Sequence, residues 1–374
     1  MTLGLPKRIL IVDDSAVMRS LLRSVFRSAQ GLEIAGTASD GESALRQIED
    51  LRPDLILLDV EMPVMDGVAM LRKLRERGHK MPIIMCSSLT QRGARVTIEA
   101  LANGASDYVA KPKGQAGPAE AIQALARDLL PKVIALTSPA PVVAIPPLAH
   151  RLPVVPGQVA SRSQLVFPAP SVVVIGVSTG GPAALDVLLP ALPASFSLPV
   201  LVVQHMPELF TRLLAERLDP RCALRVVEAG EGDAVCPGKI VIARGNWHLE
   251  VMGSSRRGQP ATLHLTQAPP EKHCRPSADV LFRSAARVYG SAVLALVLTG
   301  MGSDGLEGAR LIRVHGGTVL AQDQQTSAIW GMPGAIAGAG LAQRILPLPE
   351  IAPELIRLAG ASRDTRDLHA VVSG

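Results

Sequence analysis

Three residues at the ends of apolar stretches have the types that acyl transfer needs: Ser178, His205 and Asp304. A serine hydroxyl is a poor nucleophile at neutral pH. It requires an imidazole to take its proton and a carboxylate to fix the tautomer and stabilise the imidazolium. Ser178 lies in Gly176-Val177-Ser178-Thr179-Gly180, a G-x-S-x-G match that follows the apolar run Val172 to Ile175. Gly181-Pro182 then opens a helical run, and proline suits a first helical turn because it has no N–H to leave unpaired. Strand, tight glycine turn and helix together are the setting of a nucleophile elbow. By itself the match is not specific. The same glycines could cradle a phosphate at a helix N-terminus, or simply connect a strand to a helix. A nucleotide site would want an acid about twenty residues on to read a ribose; Leu198-Pro199 stands there instead.

A second set of groups is acidic. Asp13 and Asp14 follow the run Ile9 to Val12, Asp59 closes Leu55 to Leu58, Ser87 follows Ile83 to Cys86, and Lys111 follows Tyr108 to Ala110. Carboxylates gathered at one edge repel one another unless a cation joins them, and an all-oxygen set with room for water suits Mg²⁺. A carboxylate so held can attack a phosphoryl group, with the lysine pairing the resulting charge.

The elements that must position these groups read as two α/β units. In the first, five short apolar strands alternate with helical runs, the pattern of a doubly wound parallel sheet. In the second, apolar strands are expected at Val172–Ile175, Val200–Val203, Arg225–Val227, Ile240–Ile242, Val293–Leu298 and Thr318–Ala321. Helical runs are expected at 182–190, 207–218, 277–289, 303–315 and 333–339. If that sheet is also parallel, Ser178, His205 and Asp304 emerge at one edge. Their chain order, Ser…His…Asp, differs from that of the α/β-hydrolases and disfavours an ordinary lipase or esterase.

Between Pro131 and Pro170 fall nine of the 30 prolines, with three charged residues, so a semi-extended connector without helix is expected there. The division read from the sequence is 1–130, a connector at 131–170, a second unit at 171–355 and a tail at 356–374. Apolar residues make up 48% and charged residues 19% of the 374, enough for two cores and too little charge for a disordered chain. Aromatics at 2% and a modest net charge of +5, scattered along the chain, argue against nucleic-acid binding. The four cysteines show no metal-like spacing with histidine, and reduced thiols are expected. No signal peptide and no membrane-spanning run are apparent, so a cytoplasmic protein is expected.

The paired acids, the block Leu57-Leu-Asp-Val-Glu-Met-Pro-Val-Met-Asp-Gly67 and Lys111-Pro112 resemble the receiver domain of two-component response regulators. That resemblance implies a flavodoxin-like fold and phosphorylation of Asp59 by a histidine kinase. It places Mg²⁺ on Asp14, Asp59 and the carbonyl of Glu61, with Asp13 close by. Ser87, Tyr108 and Lys111 fall where such domains couple phosphorylation to a surface change.

Downstream, I-G-V-S-T-G-G (Ile175 to Gly181), Q-H-M-P (Gln204 to Pro207), R-P-S-A-D-V-L-F (Arg275 to Phe282), L-T-G-M-G-S-D-G (Leu298 to Gly305) and G-M-P (Gly331 to Pro333) occur in order. Together with the receiver they resemble the chemotaxis protein-glutamate methylesterases. Val177 stands where alanine is frequent in that family, and Ser303 where asparagine is also seen. The resemblance implies a Rossmann-like catalytic domain that acts on methyl-accepting chemotaxis receptors, with Ser178, His205 and Asp304 catalytic and no cofactor for the ester reaction. Backbone N–H of Met301 and groups of Thr179 are the candidates for the oxyanion hole. Rival classes are a docking module that has lost catalysis, which the intact trio opposes, and a DNA-binding effector, for which no recognition helix is visible.

Overall fold

A computed structural model of the chain describes residues 5–27, 29–88, 90–112, 117–138, 169–253 and 260–372. The first unit alternates β1 (Lys7–Val12), α1 (Ala16–Arg27), β2 (Leu32–Ala38), α2 (Gly41–Leu51), β3 (Leu55–Asp59), α3 (Gly67–Glu76), β4 (Ile83–Ser87), α4 (Gln91–Ala102), β5 (Asp107–Ala110) and α5 (Pro118–Thr137). Its five strands are parallel in the order β2-β1-β3-β4-β5. The order reverses between β1 and β3, and this places Asp13, Asp14 and Asp59 side by side at their carboxyl ends. β3 and β4 are buried along their whole length, as runs of Leu and Ile covered on both faces must be.

The second unit comprises β6 (Val172–Val177), α6 (Gly181–Leu188), β7 (Val200–Gln204), α7 (Glu208–Leu218), β8 (Arg225–Glu228), β9 (Lys239–Ile242), β10 (His248–Met252), β11 (Thr262–Thr266), α8 (Ala278–Tyr289), β12 (Val293–Val297), α9 (Leu306–Val314), β13 (Thr318–Gln322), α10 (Met332–Gly338), β14 (Arg344–Leu346) and α11 (Leu348–Val372). Seven strands form one parallel sheet in the order β14-β13-β12-β6-β7-β9-β8. Its reversal lies between β12 and β6. The three strand ends carrying Asp304, Ser178 and His205 are therefore consecutive neighbours, β12-β6-β7.

Three strands escape the sequence reading. β10 and β11 pair as an antiparallel hairpin, and β14 is a short edge strand. The hairpin strands bury Leu249, Val251 and Leu263 and turn Glu250 and His264 outward. Their signal is alternation, not the continuous apolar run of a doubly covered strand.

The connector also begins later than expected. α5 continues through Pro131 to Thr137. The missing N–H costs one helical bond, while Leu129 and Val133 stay fully buried and Lys132 Nζ donates to Tyr108 O at 2.7 Å. The rest of the expected connector, 139–168, lies outside the described residues. Likewise α11 runs on past 355, where a separate tail was expected.

The two units pack against each other. One apolar cluster passes from Ala94, Ile98 and Leu101 of α4 and Tyr108 of β5 into Ala184 and Leu188 of α6 and Phe210 and Leu214 of α7. The Tyr108 and Phe210 rings stack with centroids 4.5 Å apart. The first unit's α4-β5-α5 face thereby lies over the edge where Ser178 emerges.

Candidate active site

Ser178 follows β6 directly, and its backbone N–H donates to Thr299 O on the neighbouring β12 end at 3.0 Å. The turn closes through Gly180, which has a left-handed φ of +78°, and Gly181, whose N–H donates to Ser178 O. Gln204 at the end of β7 braces the same carbonyl, its Nε2 donating to Ser178 O at 3.0 Å. One residue on, His205 is anchored by its N–H to Val177 O at 3.2 Å. Sequence places these groups on separate strands; sheet order brings them to one edge.

His205 Nε2 and Asp304 Oδ2 are 2.8 Å apart. The carboxylate has several other donors: Ser277 Oγ at 2.8 Å, Ala278 N at 2.7 Å, Asp279 N at 3.1 Å and Gly305 N at 3.0 Å. Ala278 and Asp279 open α8, so Asp304 lies at the positive end of that helix. Burial alone would raise its pKa, but the bond to His205 and these donors hold it well below the usual carboxylate range. An ionised carboxylate only accepts, so Nε2 carries a hydrogen and Nδ1 is the nitrogen left with a lone pair in the neutral ring. Burial opposes the charged imidazole; the bonds to Asp304 and Cys274 outweigh it and push the His205 pKa up to about 9.

The motif R-P-S-A-D-V-L-F supplies this carboxylate cradle, a role the sequence reading did not extract. The available signal was a serine and an aspartate at a helix start, where N–H groups are unpaired. Asp279 itself is buried, takes Gly308 N–H at 2.7 Å and pairs with Lys272 Nζ at 2.8 Å. Cys274 was also missed: its Sγ lies 3.6 Å from His205 Nδ1. Linear spacing showed no histidine–cysteine cluster because the two residues meet only in three dimensions.

Among the described residues Ser178 Oγ has no hydrogen bond, to His205 or any other group. Both residues line one cavity of about 1140 Å³, with Thr179, Cys274 and Met301 on the side of the second unit. Asp107, Tyr108 and Lys132 of the first unit line the opposite side. The backbone N–H groups of Thr179 and Met301 have no protein acceptor among the described residues. Thr179 Oγ1, in contrast, donates across the unit boundary to Asp107 Oδ2 at 2.5 Å.

At the carboxyl edge of the first sheet, Lys111 Nζ lies 2.9 Å from Asp13 Oδ2 and 2.7 Å from Asp59 Oδ2. Carboxylate oxygens of Asp13, Asp14 and Asp59 lie within 4.8 Å of one another. Asp13 Oδ2 is buried and lacks a hydrogen bond, its contact with Lys111 being an ion pair only. That orphaned hard donor in an all-oxygen set fits a small divalent cation. Burial pushes Asp59 up to about 6, with Lys111 pulling it down and Asp13 adding to the rise. Glu61 is exposed, its side chain 3.2 Å from Arg92. The Ser87 hydroxyl accepts from Thr97 Oγ1 at 2.6 Å and donates to Ser88 O at 3.2 Å, and Tyr108 is held in the inter-unit stack. Among the described residues no helix is long and apolar enough to cross a membrane.

The family model described as CheB methylesterase matches residues 173–355, and that described as response regulator receiver domain matches residues 9–123. A protein-glutamate methylesterase/protein-glutamine glutaminase of Nocardioides is 48% identical over 95% of this chain and 96% of its own length. One of the same name from Trichodesmium erythraeum is 45% identical over 95% of this chain and 100% of its own. The solved catalytic domain of Thermotoga maritima CheB methylesterase is 41% identical, covering 51% of this chain and 100% of that domain, with a TM-score of 0.49.

Proposed function

The chain belongs to the CheB methylesterase family, receiver domain included, and on that premise we propose that it hydrolyses γ-glutamyl methyl esters on the cytoplasmic helices of chemoreceptors. Deamidation of receptor glutamines follows the same route, with ammonia leaving in place of methanol. The observation that carries this reading is the 2.8 Å bond between His205 Nε2 and Asp304 Oδ2 beside the Ser178 strand end.

In this reading Ser178 Oγ attacks the ester carbonyl and His205 Nδ1, the ring nitrogen left free by Asp304, takes the hydroxyl proton. Backbone N–H groups of Thr179 and Met301 receive the oxyanion. His205 returns the proton to the departing methoxide and then activates water against the acyl-serine. Methanol release from methylated receptor membranes tests the assignment. Ser178→Ala should lose essentially all turnover with folding intact, and appreciable residual release would sink it.

The receiver acts as the switch. A histidine kinase of the chemotaxis pathway supplies the phosphoryl group to Asp59. Asp13, Asp14, Asp59 and the Glu61 carbonyl would hold Mg²⁺, which supplies charge neutralisation at the phosphoryl group. With Tyr108 stacked on Phe210 and Asp107 bonded to Thr179, the receiver restricts access to Ser178. Phosphorylation at Asp59 redirects Ser87, draws Tyr108 from that stack and shifts the population towards an uncovered site. Phosphodonor plus Mg²⁺ should raise methanol release; release indifferent to phosphodonor would retain the esterase and discard the switch.

A further inference from the structure

Cys274 makes and breaks no bond in the reaction just described, yet its thiol faces the one ring nitrogen on which that reaction depends. We propose that His205 Nδ1 and Cys274 Sγ form a binding site for a borderline-soft divalent cation of the Zn²⁺ type, and that occupation of this site reversibly blocks the esterase.

The geometry is that of two adjacent corners of a tetrahedral site. With metal–nitrogen and metal–sulfur bonds of about 2.0–2.1 and 2.3 Å, a tetrahedral angle separates nitrogen from sulfur by about 3.5–3.6 Å. The Nδ1···Sγ distance here is 3.6 Å. The opposite ring nitrogen already has the partner that metal-bound histidines take. Nε2–H donates to a carboxylate, which fixes the tautomer and turns the Nδ1 lone pair towards the sulfur. That carboxylate is 3% exposed and held by several other donors, so it stays in place when a cation arrives.

The thiol is pre-placed as well. Glu271 and Cys274 exchange backbone bonds, Glu271 N to Cys274 O at 3.1 Å and Cys274 N to Glu271 O at 2.8 Å. The two residues between them, Lys272 and His273, both hold left-handed φ angles, +46° and +66°. Lys272 Nζ ties the turn to Asp279 Oδ2 and Ser303 O, each at 2.8 Å. Both donors open onto the cavity, which leaves room for water or the Ser178 hydroxyl at the remaining positions.

Ligand type separates this site from the receiver edge. Imidazole plus thiolate selects Zn²⁺-like ions, whereas the all-oxygen set of Asp13, Asp14 and Asp59 suits Mg²⁺. On binding, the Cys274 thiol gives its proton to solvent and a sulfur–metal bond forms, while the Nδ1 lone pair becomes a nitrogen–metal bond. That lone pair is then unable to accept the Ser178 proton. The blocking half of the proposal rests on the reading of His205 as the base; the binding half does not.

The test uses the full-length protein in saturating Mg²⁺ and Co²⁺ as a spectroscopic probe. A thiolate-to-cobalt absorption band should appear, be bleached by Zn²⁺, and be absent from both Cys274→Ser and His205→Gln. At free Zn²⁺ about ten times its dissociation constant, methanol release should fall about tenfold and recover with chelator. Cys274→Ser, measured against its own metal-free rate, should resist Zn²⁺. Absence of a Cys274-dependent band overturns the site, as does equal Zn²⁺ inhibition in Cys274→Ser. A Cys274-dependent band with undiminished turnover overturns the blocking half. Metal-free turnover that survives His205→Gln would instead count against the proposed function.

Discussion

Asp107 of the receiver and Thr179 of the catalytic unit, 72 positions apart, share a hydrogen bond of 2.5 Å between Oδ2 and Oγ1. Thr179 is the residue after Ser178, so the receiver grips the turn that carries the proposed nucleophile. Asp107 is itself braced, with Lys132 Nζ 3.7 Å from Oδ1. Asp107→Ala removes the acceptor while Lys132 keeps Asp128 at 3.1 Å. A hydrogen bond to a charged group contributes about 1.5–3 kcal/mol, enough to shift a docked equilibrium about tenfold or more. Basal methanol release in Asp107→Ala should rise by about that factor, and phosphodonor stimulation should shrink correspondingly. A basal rate that stays level or falls would show that the contact does not restrain the enzyme.

The raised pKa of His205, about 9, sets the direction of the pH profile. In the proposed reaction His205 acts as a neutral base, so basal turnover should climb with pH towards an inflection near that value. Stability runs the opposite way. Because the folded pKa lies above the ordinary histidine value, the stabilisation from the His205–Asp304 bond is fully present below about pH 6.5 and is lost as pH rises through about 9. Cys274→Ala removes one of the two bonds that raise the pKa, and should move the activity inflection down. An inflection that stays put in that variant would remove the thiol from the account.

Asp59 gives a second profile, in the receiver. Its carboxyl is pushed up to about 6, chiefly by burial, and only the ionised form can attack phosphorus. Phosphorylation by a small phosphodonor in saturating Mg²⁺ should fall as pH drops, with the bound cation moving the limit below the value of about 6 that burial sets. Asp59→Asn should abolish stimulation and leave basal release intact, and EDTA should do the same to the unaltered protein. Stimulation that persists in Asp59→Asn would place the phosphoryl group elsewhere.

Both sheets were legible in the sequence because doubly covered strands read as unbroken apolar runs, each ending on a candidate site residue. Leu55 to Leu58 leads to Asp59, and Val200 to Val203 leads to Gln204-His205. The hairpin of β10 and β11 was less legible, since His248-Leu-Glu-Val-Met offers only alternation. The continuation of α5 through Pro131 shows local propensity overruled by the burial of Leu129 and Val133. Contacts across sheet ends were not legible at all. Nothing in the spacing of His205 and Cys274, or of Thr179 and Asp107, announces that they meet.

Space around Ser178, the proposed nucleophile, gives the sharpest steric expectation. Gly300 follows β12 and crosses directly behind Ser178. A Cβ built there would stand 2.5 Å from Met332 Sδ and 2.8 Å from Ser178 Cβ. Its φ is not left-handed, so alanine is stereochemically acceptable and only the space is lacking. Met332 is fully buried and Gly300 O is fixed by the N–H groups of Gly331 and Met332, at 3.0 and 2.8 Å, so the serine turn is the part that gives way. A displacement of about 1 Å at a nucleophile costs about a hundredfold in rate. Gly300→Ala should therefore lose kcat by tenfold or more with little change in KM, because the displaced group acts in the chemical step. Gly338→Ala is the matched control: its Cβ would meet nothing within 4 Å, and it sits in helix α10. That variant should keep full turnover and gain about 0.5–1 kcal/mol in stability from the lower freedom of its unfolded chain. Full kcat in Gly300→Ala would mean that the turn relaxes at no cost to Ser178, and the steric account would fail.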